Sequence, residues 1–129
     1  MDYKFQRELR LLGKKDFDRV FEKAFRVTSK GFTMLARLNA QPFPRLGLVI
    51  AKKNVKLANQ RNLIKRLIRE KFRLNQYLLD NYDLVILTRS EIRSMERENI
   101  AADLTKLFDR FFKYEKNPDI SDKNLPKNT

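Results

Sequence analysis

A short segment in the middle of the chain combines basic side chains with large apolar ones. Residues 59–73 read NQRNLIKRLIREKFR and contain six basic residues and one acid. From Lys52 to Arg73 there are nine basic residues and one acid, a net charge of +8 out of +13 for the whole chain. Lysine and arginine neutralise phosphates and release the counterions condensed on them. The segment therefore predicts a polyanionic partner, with nucleic acid as the first candidate and an anionic membrane surface as the second.

A helix through this segment would separate its two kinds of side chain, because successive residues turn by about 100°. Like charges four residues apart on a helix repel each other. A row of cations with no acids among them therefore indicates that an anion from a partner molecule binds there. A merely solvated basic face is one alternative, and a helix lying on a membrane with its apolar arc exposed is another. The flanking strands favour a covered apolar arc. The predicted basic arc holds Arg61, Asn62, Lys65, Arg66, Arg69 and Arg73, and the apolar arc holds Leu63, Ile64, Leu67, Ile68, Leu74 and Leu78, with Phe72 at the boundary on the basic side.

The residue types that protein catalysts use most often are missing from the sequence. It has no histidine and no cysteine, which excludes disulfides, thiolate chemistry and cysteine-based zinc clusters and removes the commonest general base. A protein nuclease needs positioned acids for metal ions or a general base. We find no such cluster in the sequence and expect neither catalytic nor metal-binding residues in this chain.

Hydrophobic periodicity predicts the elements that must position the basic residues. Spacings typical of one helix face predict helices from Asp16 to about residue 25, over 58–79 and over 95–114. Alternating or branched apolar runs predict strands at 26–29, 32–39, 45–53 and 83–88. The first helix would bury Phe17, Val20, Phe21, Ala24 and Phe25, and the last would bury Ile100, Leu104, Leu107, Phe108, Phe111 and Phe112.

The bulk composition is that of one globular domain. The chain has 129 residues, of which 42% are hydrophobic and 35% charged, enough to bury a core. We predict a single domain over residues 1–115. Residues 116–129 contain two prolines and almost no apolar side chains, so we predict a disordered tail. Because no secretory signal and no membrane-spanning run is evident, we expect a soluble, cytoplasmic protein.

The run LGLVIAKKNVKLANQRNLIKRLIREKFR resembles the signature of the bacterial ribonuclease P protein component. The resemblance extends to RELRLLGKKDFDRVF before this run and YDLVILTR after it, about residues 7–112 in all. One departure is Leu63, where many relatives have a basic residue. The matching elements are Lys52-Lys53, Arg61-Asn62, Ile64-Lys65-Arg66, Arg69-Glu70 and Phe72-Arg73.

The resemblance implies an α+β fold of a particular kind. It is a compact α/β sandwich, similar to a ribosomal-protein domain, with a mixed four-stranded sheet and the order helix-strands-helix-strand-helix. It also implies a left-handed β-α-β crossover around the basic helix. Elementary physics would not predict that hand, because such crossovers are nearly always right-handed.

The resemblance further implies a function: an accessory protein subunit of an endoribonuclease that removes the 5′ leader of precursor tRNA. The catalyst would be the RNA subunit with Mg²⁺, and the free protein would be a monomer that does not contact membranes. The residues implied to contact the catalytic RNA are Arg61, Asn62, Lys65, Arg66, Arg69 and Arg73. A cleft between the first helix and the sheet would hold the single-stranded leader through Phe17, Phe21, Leu35, Lys52 and Lys53.

Some alternatives stay open from the residues alone. Phe17 and Phe21 have the spacing of ordinary core residues. The same basic helix would suit a ribosomal or general RNA-binding protein without a role in cleavage. A self-sufficient nuclease is disfavoured by the missing acid cluster, and insertion of a helix into DNA is disfavoured because nothing resembles a helix-turn-helix pair.

Overall fold

The computed structural model describes residues 13–79 and 81–116 of the chain. Seven regular elements follow one another in the predicted order, with short 3-10 helices at Gln76–Leu78 and Ser90–Ser94. The helices are α1 (Lys14–Lys23), α2 (Ala58–Asn75) and α3 (Arg97–Lys116), and the strands are β1 (Phe25–Thr28), β2 (Phe32–Leu38), β3 (Arg45–Val49) and β4 (Tyr82–Thr88).

The four strands form one mixed sheet in the order β1-β2-β4-β3. The β1–β2 and β2–β4 pairs are antiparallel, and the β3–β4 pair is parallel. The chain leaves β3, passes through α2 and returns as β4, so β3, α2 and β4 form a β-α-β unit. This sheet with its three α-helices confirms the predicted α+β class. The left hand of the crossover stays a prediction of the resemblance.

The helices cover opposite faces of the sheet. Side chains alternate along a strand, and in β2 Phe32, Met34 and Ala36 are buried in the larger core cluster, which also takes in α2 and α3. Leu35 points the other way, into a smaller cluster with Val20 of α1. The sheet therefore separates α1 from the α2–α3 layer.

Helix α3 supplies much of the larger core. Ile100, Leu104, Leu107, Phe108 and Phe111 are all buried, and Phe112 is partly buried against them, as their helical spacing predicts. Strand β4 is buried on both faces, with Leu84, Val85 and Ile86 fully covered. Its central place between β2 and β3 explains the continuous apolar run in its sequence.

The predicted membership of Phe25 in the first helix is wrong. Helix α1 ends at Lys23, Ala24 has an extended backbone, and Phe25 begins β1. The Phe25 ring stacks on Tyr114, with centroids 4.0 Å apart, and on Phe111 at 5.7 Å. Packing against α3 on the far face of the sheet therefore outweighs the helical spacing that relates Phe25 to Phe17 and Phe21.

Strand β3 is shorter than its apolar run predicts. It ends at Val49, so Lys52 and Lys53 lie in the following turn and not in the strand. Asn54 and Val55 donate backbone hydrogen bonds to the Ala51 carbonyl at 3.0 Å. This tight turn takes the chain away from the sheet edge and exposes both lysines.

A buried ion pair fixes the start of β3 to β4. Arg45 donates from Nε to one Asp83 carboxylate oxygen at 2.9 Å and from Nη2 to the other at 2.8 Å. Asn39 donates to the same carboxylate at 2.7 Å. The hydrogen bond to Asp83 raises the pKa of Arg45 above its usual value, while burial opposes the shift. Because Asp16 lies 3.8 Å from Arg45 on the other side, the pair also ties α1 to the sheet.

The β1–β2 turn is held against α3 by the buried Asp103 carboxylate. It accepts hydrogen bonds from the Ser29 hydroxyl at 2.7 Å, the Gly31 backbone at 2.9 Å and the Lys30 backbone at 3.2 Å. A Cβ atom at Gly31 would lie 2.7 Å from the Met95 sulfur. The absence of a side chain at Gly31 therefore lets the Ser90–Ser94 segment and Met95 approach the turn closely.

Among the described helices, none is long and apolar enough to cross a membrane. The predicted disordered tail lies beyond Lys116, outside the described residues, and so do the first twelve residues of the predicted domain.

Candidate nucleic-acid interface

Helix α2 buries one face and exposes another, but the buried face is not centred where the sequence predicts. Ile64, Ile68 and Phe72 are buried, with Phe72 fully covered. The prediction that Phe72 lies on the basic side is therefore wrong. Leu74 and Leu78, which belong to the predicted apolar arc, are 55% and 61% exposed. Around the helix axis, the centre of the buried face lies roughly 70° from the centre of the predicted apolar arc, on the side of Arg61.

This rotation explains the position of Arg61. Its side chain is half-buried, and Nη1 donates hydrogen bonds to the backbone carbonyls of Val55 at 3.0 Å and Lys56 at 2.8 Å. Arg61 thus fastens the loop before α2 to the first turns of the helix. Asn62, the next residue of the helix, is exposed.

The other end of the same loop is fastened by Asn54. Its side-chain amide donates to the Thr88 carbonyl at 3.2 Å, and the Ala51 backbone donates to the Thr88 hydroxyl at 3.3 Å. Asn54 is only 8% exposed. Loop 50–57 is therefore held to the end of β4 and to α2, so that Lys52, Lys53 and Lys56 project from a fixed backbone.

The other four predicted cations of α2 lie on its exposed side together with Asn62, and we call this surface the basic face: Asn62, Lys65, Arg66, Arg69 and Arg73. Lys65, Arg66 and Arg69 form no ion pair with any carboxylate of residues 13–79 and 81–116. Arg73 pairs with Glu70 one turn away, on the exposed surface. Asn62, Arg66, Arg69 and Arg73 line one shallow depression together with Glu70. The structure therefore brings the predicted RNA-contacting side chains together, with Arg61 directed inward.

The second predicted surface lies on the opposite side of the sheet. Phe17 is partly buried against the smaller core cluster, as are Val49 and Leu87 at the ends of β3 and β4. Phe21 is 49% exposed, so it is not a core residue. Leu35 is 4% exposed beneath α1, so in this structure it supports the helix and offers almost no surface to a ligand.

Helix α1 packs mainly on β2 and β4 and leaves the β3 side of this sheet face less covered. The Arg37 guanidinium fixes α1 in place by donating to the Arg19 carbonyl at 2.6 Å. Lys52 and Lys53 are exposed beyond the end of β3. The open part of the face is therefore bordered by aromatic and apolar side chains and by the loop that carries both lysines.

Within the part of the chain that the structure describes, no three acidic side chains group closely enough to hold a metal ion. Every buried side-chain nitrogen and oxygen in this part has a hydrogen-bond partner. The buried carboxylates of Asp83 and Asp103 are occupied by Arg45 and by the β1–β2 turn, respectively. These acids have structural roles.

Sequence reasoning missed Asn54, and it did not foresee that Arg61, a predicted RNA contact, bonds the loop before α2. A weak signal for Asn54 was present, since an asparagine directly after paired lysines at a strand end is typical of a turn. No sequence signal distinguished Arg61 from Arg66 or Arg69.

These observations define a class of protein: a small α+β protein whose mixed sheet carries one helix with a basic face, on which Lys65, Arg66 and Arg69 have no carboxylate partner among the described residues. Comparison with known proteins gives the family. A model of the family described as Ribonuclease P matches residues 5–111. The ribonuclease P protein component of Pseudoalteromonas translucida (strain TAC 125) is 49% identical over 107 residues, covering 83% of this chain and 76% of the relative. That of Pasteurella multocida (strain Pm70) is 48% identical over 106 residues, covering 82% and 89%.

Solved structures agree with this assignment. The RNase P protein of Staphylococcus aureus superposes with a TM-score of 0.71 at 27% identity, covering 78% of this chain and 93% of that one. The RNase P protein of Thermotoga maritima gives a TM-score of 0.66 at 28% identity, covering 78% and 96%. The chain belongs to the ribonuclease P protein family, whose members are protein components of a tRNA-processing endoribonuclease. The predicted resemblance is confirmed.

Proposed function

We propose that this protein binds the catalytic RNA of ribonuclease P through the basic face of α2 and holds the 5′ leader of precursor tRNA on the α1 side of the sheet. The observation that carries the proposal is that Lys65, Arg66 and Arg69 lie on one helix without a carboxylate partner in the described residues. Mutually repelling cations at this spacing are stabilised when an anion is bound between them.

The basic face suits folded RNA because its support is rigid. Ile64, Ile68 and Phe72 anchor the helix in the core, and Arg61 and Asn54 hold the preceding loop. The arginine forks of Arg66 and Arg69 match phosphate oxygens in bidentate fashion. A pre-ordered cationic surface loses little conformational entropy on binding, so more of the electrostatic free energy remains as affinity.

The α1 side suits a single strand because α1 carries a solvent-exposed aromatic ring and the loop after β3 carries two exposed lysines. Phe21 offers a ring on which a base can stack, and Phe17 offers the uncovered part of its own ring. Stacking on aromatic side chains tolerates different bases, as a leader-binding surface requires, and is worth about 1–3 kcal/mol per base. Lys52 and Lys53 would hold the leader phosphates.

The proposal assigns the bond cleavage to the RNA subunit. This chain contains no histidine or cysteine, and its described acids do not form a metal-binding group. The Mg²⁺ that the reaction uses would therefore be held by RNA. We also propose that the free protein is a cytoplasmic monomer that enters a ribonucleoprotein.

Reconstitution tests the proposed function directly. The protein is mixed with a bacterial ribonuclease P RNA at low magnesium concentration, and the cleavage of precursor tRNA is followed. We expect stimulated cleavage at the 5′ maturation site and no cleavage by the protein alone. If the protein does not stimulate cleavage by an RNA that is active at high magnesium, the proposal is contradicted. If RNA-free protein cleaves precursor tRNA, the alternative of a self-sufficient protein nuclease is supported instead.

The basic face is tested by Arg66→Ala and Arg69→Ala. Each variant should bind the catalytic RNA more weakly, and the slope of log K against log salt should fall by up to about one, because one phosphate contact is lost. Circular dichroism should show an unchanged fold. Lys113→Ala removes one exposed cation from α3 and is the matched control. If Arg66→Ala and Arg69→Ala resemble this control in affinity and slope, the basic face does not contact the RNA.

A further inference from the structure

A large cleft lies beside the basic face, between α2 and the segment that leads into α3. We call it the α2–α3 cleft; its volume is about 830 Å³. One wall is the loop and first turns of α2, and the other runs from Ile92 to Ile100. Its apolar surface comes mainly from the partly exposed Leu63 and Met95, which lie over the nearly buried side chains of Val55, Ile64, Ile92 and Ile100.

The polar rim of the α2–α3 cleft is basic. Four cations line it, Lys56, Arg66, Arg93 and Arg97, and no acidic residue is found among its described lining. Among the described residues, Arg93 donates a hydrogen bond to the Ser90 carbonyl at 3.3 Å and lies close enough to Glu91 to interact with its charge, but neither Arg93 nor Arg97 forms an ion pair. Gln60 and Asn62 add side-chain amides to the rim. The cleft therefore offers anion-binding groups above an apolar floor, with hydrogen-bond donors and acceptors between them.

This combination matches the chemistry of a nucleotide better than that of a phosphate alone. A base that has left its stack is held between apolar side chains or guanidinium planes, and its edges are bound by amides. A simple backbone contact needs no apolar floor. A peptide partner would need acids to satisfy the four cations, whereas a nucleotide supplies both the anion and the flat apolar body.

We propose that the α2–α3 cleft binds an unpaired nucleotide of the catalytic RNA, with the base on the apolar surface of Leu63 and Met95 and its phosphates at Arg93 and Arg97. This inference rests on the proposed function. Asn62 and Arg66 line both the cleft and the depression on the basic face. RNA lying along α2 can therefore continue into the cleft without leaving the protein surface.

Site-directed crosslinking tests this assignment. The chain contains no cysteine, so Arg93→Cys carries the only thiol and can be labelled with a short photo-crosslinker. In a complex with bacterial ribonuclease P RNA, we expect crosslinks to nucleotides that are unpaired in the RNA secondary structure. Lys113→Cys is the matched control and should not give these crosslinks. Absence of an RNA crosslink from Arg93→Cys in a complex that forms, or crosslinks confined to paired nucleotides, would overturn the inference.

The methionines provide a second readout. Besides Met1 the chain contains only Met34 and Met95, and Met34 is fully buried in the core whereas Met95 lines the cleft. In protein labelled at the methionine methyl groups, a short single-stranded oligoribonucleotide of mixed sequence should shift the Met95 resonance and leave Met34 unchanged. An oligonucleotide that binds only on the α1 side would leave both unchanged and would contradict the inference.

Affinity separates this inference from the proposed function. Arg93→Ala and Arg97→Ala should each weaken binding of the catalytic RNA more than Lys113→Ala and lower the salt slope by up to about one. If wild-type protein binds the RNA and Arg69→Ala weakens binding, but Arg93→Ala and Arg97→Ala match Lys113→Ala, the cleft inference alone fails. If wild-type protein does not bind the RNA, both fail.

Discussion

Arg61 and Arg69 are two turns apart on the same helix, yet their surroundings differ. Arg61 donates to two backbone carbonyls of its own loop, while Arg69 is exposed and has no ion-pair partner among the described residues. The guanidinium of Arg61 satisfies carbonyl groups that precede the helix, where α2 has no side-chain cap. Arg61 therefore stabilises the fold, whereas Arg69 is available on the surface to bind a ligand.

This difference predicts opposite effects on stability. Arg61→Ala should lower the free energy of unfolding by about 1–2 kcal/mol, because two hydrogen bonds from a charged donor are lost. Arg69→Ala should change it by less than about 0.5 kcal/mol, as is usual for exposed positions. Urea titration followed by circular dichroism measures both values. Equal effects for the two variants would mean that Arg61 does not hold the loop.

The sequence specified the residue types of the interface but not their partners. Arg61, Arg66 and Arg69 are equivalent in a list of cations, and only the course of loop 50–57 decides which one turns inward. Likewise, Asp83 and Asp103 are ordinary acids in the sequence. Their burial depends on Arg45 and on the β1–β2 turn, which are distant in the chain and come together only in the folded protein.

At the scale of elements, helix α2 was predicted with the correct start but with its faces misplaced. The predicted apolar arc is centred on the mean direction of all apolar side chains of the helix. Because Leu63, Leu74 and Leu78 are included, the centre of that arc lies away from Phe72. In the protein, α2 must pack against the sheet and α3 together, and the bulky Phe72 side chain fills the larger core. Periodicity establishes that an amphipathic helix is present, but the packing partners determine which residues are at the centre of its buried face.

The rotated face gives a direct stability test. Phe72→Ala should lower the free energy of unfolding by about 3–5 kcal/mol, since it leaves a cavity in a closely packed core. Leu74→Ala removes an exposed apolar side chain from the same helix and should cost less than about 0.5 kcal/mol. Thermal or urea unfolding gives the comparison. If Leu74→Ala proved the more costly change, the buried face would lie where the sequence pattern alone had placed it.

Element ends were predicted less well than element types, for a related reason. Phe25 continues the helical spacing of Phe17 and Phe21, but its ring stacks on Tyr114 and Phe111 of α3. The run of branched aliphatic residues that begins at Arg45 predicts a strand as far as Lys53. Backbone hydrogen bonds to Ala51 and the bonds of Asn54 to β4 end it earlier. Both corrections come from contacts between residues far apart in sequence.

For the whole molecule, the sheet order β1-β2-β4-β3 is the feature that organises both candidate surfaces. Placing β4 between β2 and β3 requires α2 to cross one face of the sheet, which leaves the other face for α1. Hydrophobic patterns in single segments carry no information on strand order. The family resemblance supplied the architecture, which the residue patterns alone could not.

Separation of the two surfaces by the full sheet predicts that their energetic contributions are independent. Arg69 lies on the α2 side and Phe21 on the α1 side, and substitutions without shared partners usually add within about 0.3–0.5 kcal/mol. Arg69→Ala should weaken binding of the catalytic RNA without changing the preference for leader-bearing precursor tRNA over mature tRNA. Phe21→Ala should reduce that preference, by an amount equivalent to about 1–3 kcal/mol if one base stacks on the ring, and leave binding of the catalytic RNA unchanged.

The double variant tests this independence. At one salt concentration, it should show the weakened catalytic-RNA binding of Arg69→Ala and the reduced leader preference of Phe21→Ala, each by the same amount as in the single variant. Phe17→Ala provides a comparison, because Phe17 is partly buried in the smaller cluster and its replacement should also lower stability. Strong non-additivity between Arg69 and Phe21, with both variants folded, would mean that one RNA element contacts both faces or that the sheet transmits a rearrangement. Additivity would instead assign the catalytic RNA and the leader to opposite sides of one rigid sheet.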